Sequence, residues 1–258
     1  MHRPEPAGEP LPWLRLVGSV LLIFAVFHAT ATALGSLRGE AGLVVGALVV
    51  LLCLVARRLG WRDSWAGAAQ SIGLGRPTLR SLVVAGAASG LLALAIPVFI
   101  ASTGSSWAWY PGWLSLLPGL FAQGGIAEEG LFRGLLFGTV RRARPFWRAA
   151  LLSAGPFLAA HLLMFTILPW PVALASVTLA LVVSFPLAHL FDLGGRTLWA
   201  PAVLHFTIQS GLKVVEVGGP TAGSLPLLWI AACAVIPWLV LLVPRREPLS
   251  DPNPGEDP

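Results

Sequence analysis

The chain has 258 residues, of which 56% are hydrophobic and 11% charged, with a mean hydropathy of +0.78. That balance excludes a soluble domain and fits a polytopic membrane protein. The net charge of +5 and the pI near 10.5 do not point to nucleic acid, because the basic residues are arginines, Lys213 excepted, and nearly all lie in short segments between apolar runs. Cys53 and Cys233 sit in separate runs, which indicates neither a disulfide framework nor a thiolate metal site.

Residues 1–12 are polar and proline-bearing and are expected to form a disordered cytoplasmic tail. The first apolar run, 16–34, is long enough to span a bilayer. Its Ala31-Thr32-Ala33 resembles a signal-peptide cleavage site, but a second apolar run, 42–56, follows almost at once and favours a span. A basic connector, 57–80, carries Trp61 and Trp65 and suits the membrane interface. The third span, 82–101, contains Pro97, which predicts a bend. Residues 102–112 are uncharged and offer Trp107, Trp109 and Tyr110 as interface anchors. Five further spans follow: 113–140, 149–168, 172–191, 198–217 and 225–243. The predicted architecture is therefore all-α, with eight transmembrane helices around an intramembrane cavity. Residues 13–112 form the N-terminal helices and connector, 113–217 the core and 218–243 the last span. A cytoplasmic tail, 244–258, closes the chain. With the N-terminus inside, every arginine outside the spans except Arg38 falls on the cytoplasmic side, and Lys213 on the other. That asymmetry supports the span count and an orientation with both termini cytoplasmic; the Leu-, Ala- and Arg-rich composition with one lysine suggests a bacterial inner membrane.

Three groups of polar residues interrupt spans four, five and seven. Glu128, Glu129 and Arg133 lie in the fourth. A charge near a bilayer centre costs roughly 3 kcal/mol, so three of them need partners or water. At helical spacing Glu129 and Arg133 share a face and pair, which leaves Glu128 without a local cation. Gly130, Gly134 and Gly138 form a stripe that predicts close approach of another helix. Phe157-x-x-x-His161 lies on the fifth span and His205-x-x-x-Gln209 on the seventh. The residue types suit water activation in two ways. Glu128 acts as general base on a water oriented by His161, His205 and Gln209, which also stabilise an oxyanion. Alternatively, His161 and His205 hold Zn²⁺ with a carboxylate and an open position for water. Buried Glu and His also serve proton-coupled carriers, but a carrier predicts matched halves, and the polar groups occupy only the second half.

The pattern Glu128-Glu129-x-x-x-Arg133, Phe157-x-x-x-His161 and His205-x-x-x-Gln209 resembles the CAAX protease and bacteriocin-processing family of intramembrane peptidases, which includes the type II CAAX prenyl endopeptidases. Gln209 is a departure, since the family usually has Asn there. The resemblance covers residues 113–217. It implies an integral-membrane endopeptidase that hydrolyses a membrane-associated protein or peptide at the lipid bilayer, with no nucleic-acid partner. It further implies that Glu128 activates water, that His161 and His205 are metal ligands or direct polarisers, and that Glu129 and Arg133 support the site. A second reading, motivated by Gln209, is a non-catalytic immunity or assembly factor on the same fold.

Overall fold

The computed structural model describes residues 12–35 and 39–245. Both predicted tails lie almost wholly outside these, as do Arg3, Arg38 and Arg246. Helices dominate, in the order α1 (Trp13–Ala33), α2 (Glu40–Gly60), α3 (Trp65–Ser71), α4 (Leu79–Ala93) and α5 (Ala95–Thr103). A strand, β1 (Ser106–Trp109), precedes α6 (Trp113–Leu120), α7 (Gly138–Ala143), α8 (Phe146–His161), α9 (Met164–Ile167), α10 (Trp170–Leu193) and α11 (Trp199–Ser210). A second strand, β2 (Val215–Gly218), and α12 (Leu225–Val235) complete the set, and a 3₁₀ stretch, Ile236–Leu242, extends α12.

All eight predicted apolar segments are helical in part, but among the described residues six helices are long and apolar enough to cross a membrane. The two that depart from expectation are those with most of the polar residues. The first is the fourth segment. After α6, which contains Pro118, the chain widens into π-helical turns over Phe121–Glu128 and Gly130–Phe137 before returning to α7. Proline removes one backbone donor, and Gly124, Gly125, Gly130 and Gly134 carry no side chain to crowd a wider turn. The second is the seventh segment. It ends at Ser210, so α11 is about 18 Å long against a hydrocarbon core of about 30 Å. Beyond it the β-branched Val214, Val215 and Val217 favour a strand. β2 pairs antiparallel with β1, Ser106 opposite Gly218 and Trp109 opposite Val215. Lys213 and Glu216 therefore lie in a turn and a strand, not in a spanning helix.

The bend expected from Pro97 appears as the break between α4 and α5 at Leu94. That is where a proline ring meets the preceding turn. The predicted glycine stripe holds in part. Its Gly134 lies against the backbone of another segment: a Cβ there would sit 2.7 Å from the Ile72 carbonyl carbon. Gly138 lies against the ring of Phe191, and nothing is within 4 Å of Gly130. Another tight crossing is between α2 and the α6 segment. A Cβ on Gly42 would lie 2.5 Å from the Gly119 carbonyl carbon, and one on Gly46 2.8 Å from the Ala122 oxygen. This seam sets α2 beside the π-helical turns. Phe27, Val45, Leu131, Phe132, Phe157 and Phe191 fill the core around it.

Gly42→Ala is expected to lower stability by roughly 1–3 kcal/mol, because neither backbone can retreat without moving a helix. Gly90→Ala, with nothing within 4 Å of the added carbon, is expected to stay within about 0.5 kcal/mol of the parent. Thermal unfolding of the two purified variants in detergent compares them directly.

Candidate active site

The π-helical turns decide which residues of the fourth segment face α11. A π-turn closes after five residues, so Gly124 and Glu129 share a face. An α-turn closes after about four, so His205 and Gln209 share a face of α11. The two segments run antiparallel, and the pairs meet: Gly124 against Gln209, Glu129 against His205. The position of α11 along its own axis is fixed from its N-terminal end. Leu198 N–H donates to the Gly73 carbonyl (2.9 Å), and the Trp199 indole donates to the Gly75 carbonyl (2.7 Å). Gly73 has φ +89°, and a Cβ there would press on Phe191 and the Leu198 nitrogen, so this approach needs glycine.

Glu129 is fully buried and its Oε1 accepts two donors, Arg133 Nη1 at 3.2 Å and His205 Nδ1 at 2.6 Å. The pairing with Arg133 follows the sequence expectation. His205, expected near Glu128, hydrogen-bonds Glu129 as well. Its bond to Glu129 turns the other ring nitrogen toward Glu128, with His205 Nε2 at 3.8 Å from Glu128 Oε2. Glu128 retains 12% side-chain exposure where Glu129 has none. One acid is therefore sealed and the other is open.

Arg133 is held on a second side by the ring of Phe157, with its guanidinium carbon 4.4 Å from the ring centre. A desolvated contact of this kind contributes about 2 kcal/mol. The Phe157 carbonyl accepts from His161 Nδ1 at 2.9 Å, and the two rings lie 4.4 Å apart. His161 Nε2 is thereby left as the free nitrogen. Glu128, His205 and Arg133 all lie within electrostatic reach of His161. Gln209 presses its amide against the bare backbone of Gly124, where a Cβ would lie 2.6 Å from the amide carbon. Three buried polar atoms here have no partner: Glu129 Oε2, Arg133 Nη2 and Gln209 Oε1. Buried polar atoms of this kind ordinarily have a partner in protein or ordered water, so the cluster has donor and acceptor capacity to spare.

Lys213 also acts electrostatically on Glu128. Glu128 has no cation on its own segment, and Lys213, in the turn after the early stop of α11, is a more distant one. His189, by contrast, is satisfied structurally, donating to the Val243 carbonyl at 2.9 Å. His28 stacks on Phe24. Among the described residues no three His, Cys, Asp or Glu side chains converge as metal ligands do. With Nδ1 of both site histidines bonded to a protein oxygen, Nε2 is on each ring the nitrogen left to meet a water or a metal ion.

Glu129→Gln leaves Arg133 buried without its carboxylate and is expected to destabilise by about 3–5 kcal/mol, read as a loss of folded protein in detergent. Gly124→Ala is expected to displace Gln209. Shortening the arm with Gln209→Asn in that background restores the fit, so the double variant should be more stable and more active than Gly124→Ala alone. A double-mutant cycle on thermal midpoint and activity measures that coupling.

Residues 108–211 match the family described as type II CAAX prenyl endopeptidase, Rce1-like. A comparison with curated proteins finds no match. The matched segment contains Glu128, Glu129, Arg133, His161, His205 and Gln209, and the family is one of membrane proteases. Through this segment the chain, an all-helical integral membrane protein, is similar to the CAAX protease family.

Proposed function

We propose that this protein is an intramembrane endopeptidase in which Glu128 activates a water for attack on a peptide bond of a membrane-associated protein or peptide. The single observation that carries the reading is the fixed orientation of His205. Its Nδ1–H is directed to Glu129, so the neutral ring offers a lone pair at Nε2, facing the Glu128 carboxylate across 3.8 Å. Both groups are then acceptors. A water between them donates both its hydrogens, which points its own lone pairs away from the pair and toward a carbonyl carbon. As the water oxygen bonds to that carbon, its proton passes to Glu128, which later returns it to the leaving amine nitrogen. The Gln209 amide, aimed into the same space, is the donor best placed for the developing oxyanion. His161, open at Nε2, takes part by charge or proton exchange with Glu128. No step requires a metal. The protein is taken to lie in a bacterial inner membrane with the arginine-rich ends of its helices in the cytoplasm.

Glu128→Gln is expected to lower cleavage of a membrane-tethered reporter by roughly 10²–10⁴-fold, with insertion and thermal midpoint unchanged. Turnover at the parental rate would end the proposal. A cellular phenotype that survives the combined loss of Glu128 and His205 would instead favour a non-catalytic membrane factor.

A further inference from the structure

At the end of the bundle opposite the β1–β2 pair, α3, α7 and the turn before α11 enclose a pocket of about 240 Å³. Gln70, Arg76, Gly138, Arg142, Arg196 and Thr197 contribute to its wall, and among the described residues no carboxylate lines it. It is distinct from the catalytic groups: Gly138 is nine residues beyond Glu129 and Thr197 eight before His205, in each case about 12–14 Å along a helix. The described acids at this end are already engaged, Asp63 with Arg57 at 2.7 Å and Asp192 with Arg141 at 2.8 Å. Among the described residues, the guanidinium groups of Arg76 and Arg196 have no hydrogen bond or ion pair. Arg196 is also one of two non-glycine residues with a positive φ, at +64°. Glycine adopts that backbone more readily, yet the position carries a long cation facing the pocket.

We propose that this pocket binds the phosphate group of an anionic phospholipid headgroup. Two guanidinium groups without protein counter-charges among the described residues, on a wall that also carries the Gln70 amide, match the charge and donor chemistry of a phosphate. The depth fits a lipid: Arg142 follows the helix of the fourth apolar segment, Arg76 precedes α4, and the half-exposed Trp65 and Trp147 mark the same end as an interfacial layer.

The test uses the full-length protein in phosphatidylcholine nanodiscs with and without phosphatidylglycerol. Bound phosphatidylglycerol is counted by native mass spectrometry, and inorganic phosphate is titrated separately against the thermal midpoint. The pocket variant is Arg76→Gln with Arg196→Gly, the glycine chosen because it suits the left-handed backbone and spares the fold. The control, Arg80→Gln with Arg148→Gln, removes the same charge outside the pocket. Removing two arginines is expected to weaken phosphatidylglycerol retention about thirtyfold, with the control retaining it. Stabilisation by inorganic phosphate alone, lost in the pocket variant, would keep the phosphate chemistry and assign its source to the solvent. Equal retention in parent and pocket variant with no phosphate response, or an equal loss in the control, would overturn the proposal.

Discussion

The carboxylate of Glu129 is the constraint on which the site depends. It is fully buried, and an isolated charge in that position is prohibitively costly, so its neighbours must supply the compensation. Arg133 comes from the same segment and His205 from α11, both to the same oxygen. Arg133 in turn lies under the ring of Phe157, whose carbonyl holds His161. Three helices far apart in sequence are thus joined through one buried acid. Removing any member leaves the next without a partner, which is how a set of polar contacts can fix the relative position of helices that otherwise share only apolar surfaces.

The same constraint separates two adjacent glutamates that the sequence presents as equivalent. Neighbouring residues on any helix point in different directions, so only one can occupy the sealed position. The other faces the remaining nitrogen of His205, at the edge of the buried cluster. Two residues side by side thus take different surroundings, with the histidine between them carrying the orientation set by the first to the neighbourhood of the second.

Much of this was legible in the sequence because it rests on strong local signals. Long apolar runs, an i, i+4 ion pair and a proline inside a helix each report their structure within a few residues, as 113–140, Glu129 with Arg133 and Pro97 do. The π-helical turns were not legible, since the choice between closing a turn after four residues or five is made by what α11 presents and by glycines that tolerate either. The end of α11 at Ser210 was hidden for a similar reason. Gly211 and the valines after it continue the hydrophobic run, and only the pairing of β2 with β1, over a hundred residues away, shows that the chain has left the helix. That early exit is what carries Lys213 toward Glu128. Nor could spacing alone decide which acid His205 would meet, because that depends on the register of two segments brought together by the fold.

Gln209 shows why a departure from a family pattern has to be read with its surroundings. Taken alone, an amide carried one methylene further than asparagine would overshoot its position by about a bond length. The residue facing it has no side chain at all, and the amide occupies the place where one would begin. A longer arm on α11 and a bare backbone at Gly124 are therefore one fitting made of two residues. The wider turn that brings Gly124 onto this face is the same one that brings Glu129 to His205. The departure is absorbed by the geometry that holds the rest of the site together, and the polar end of the side chain remains among the groups it would have to serve.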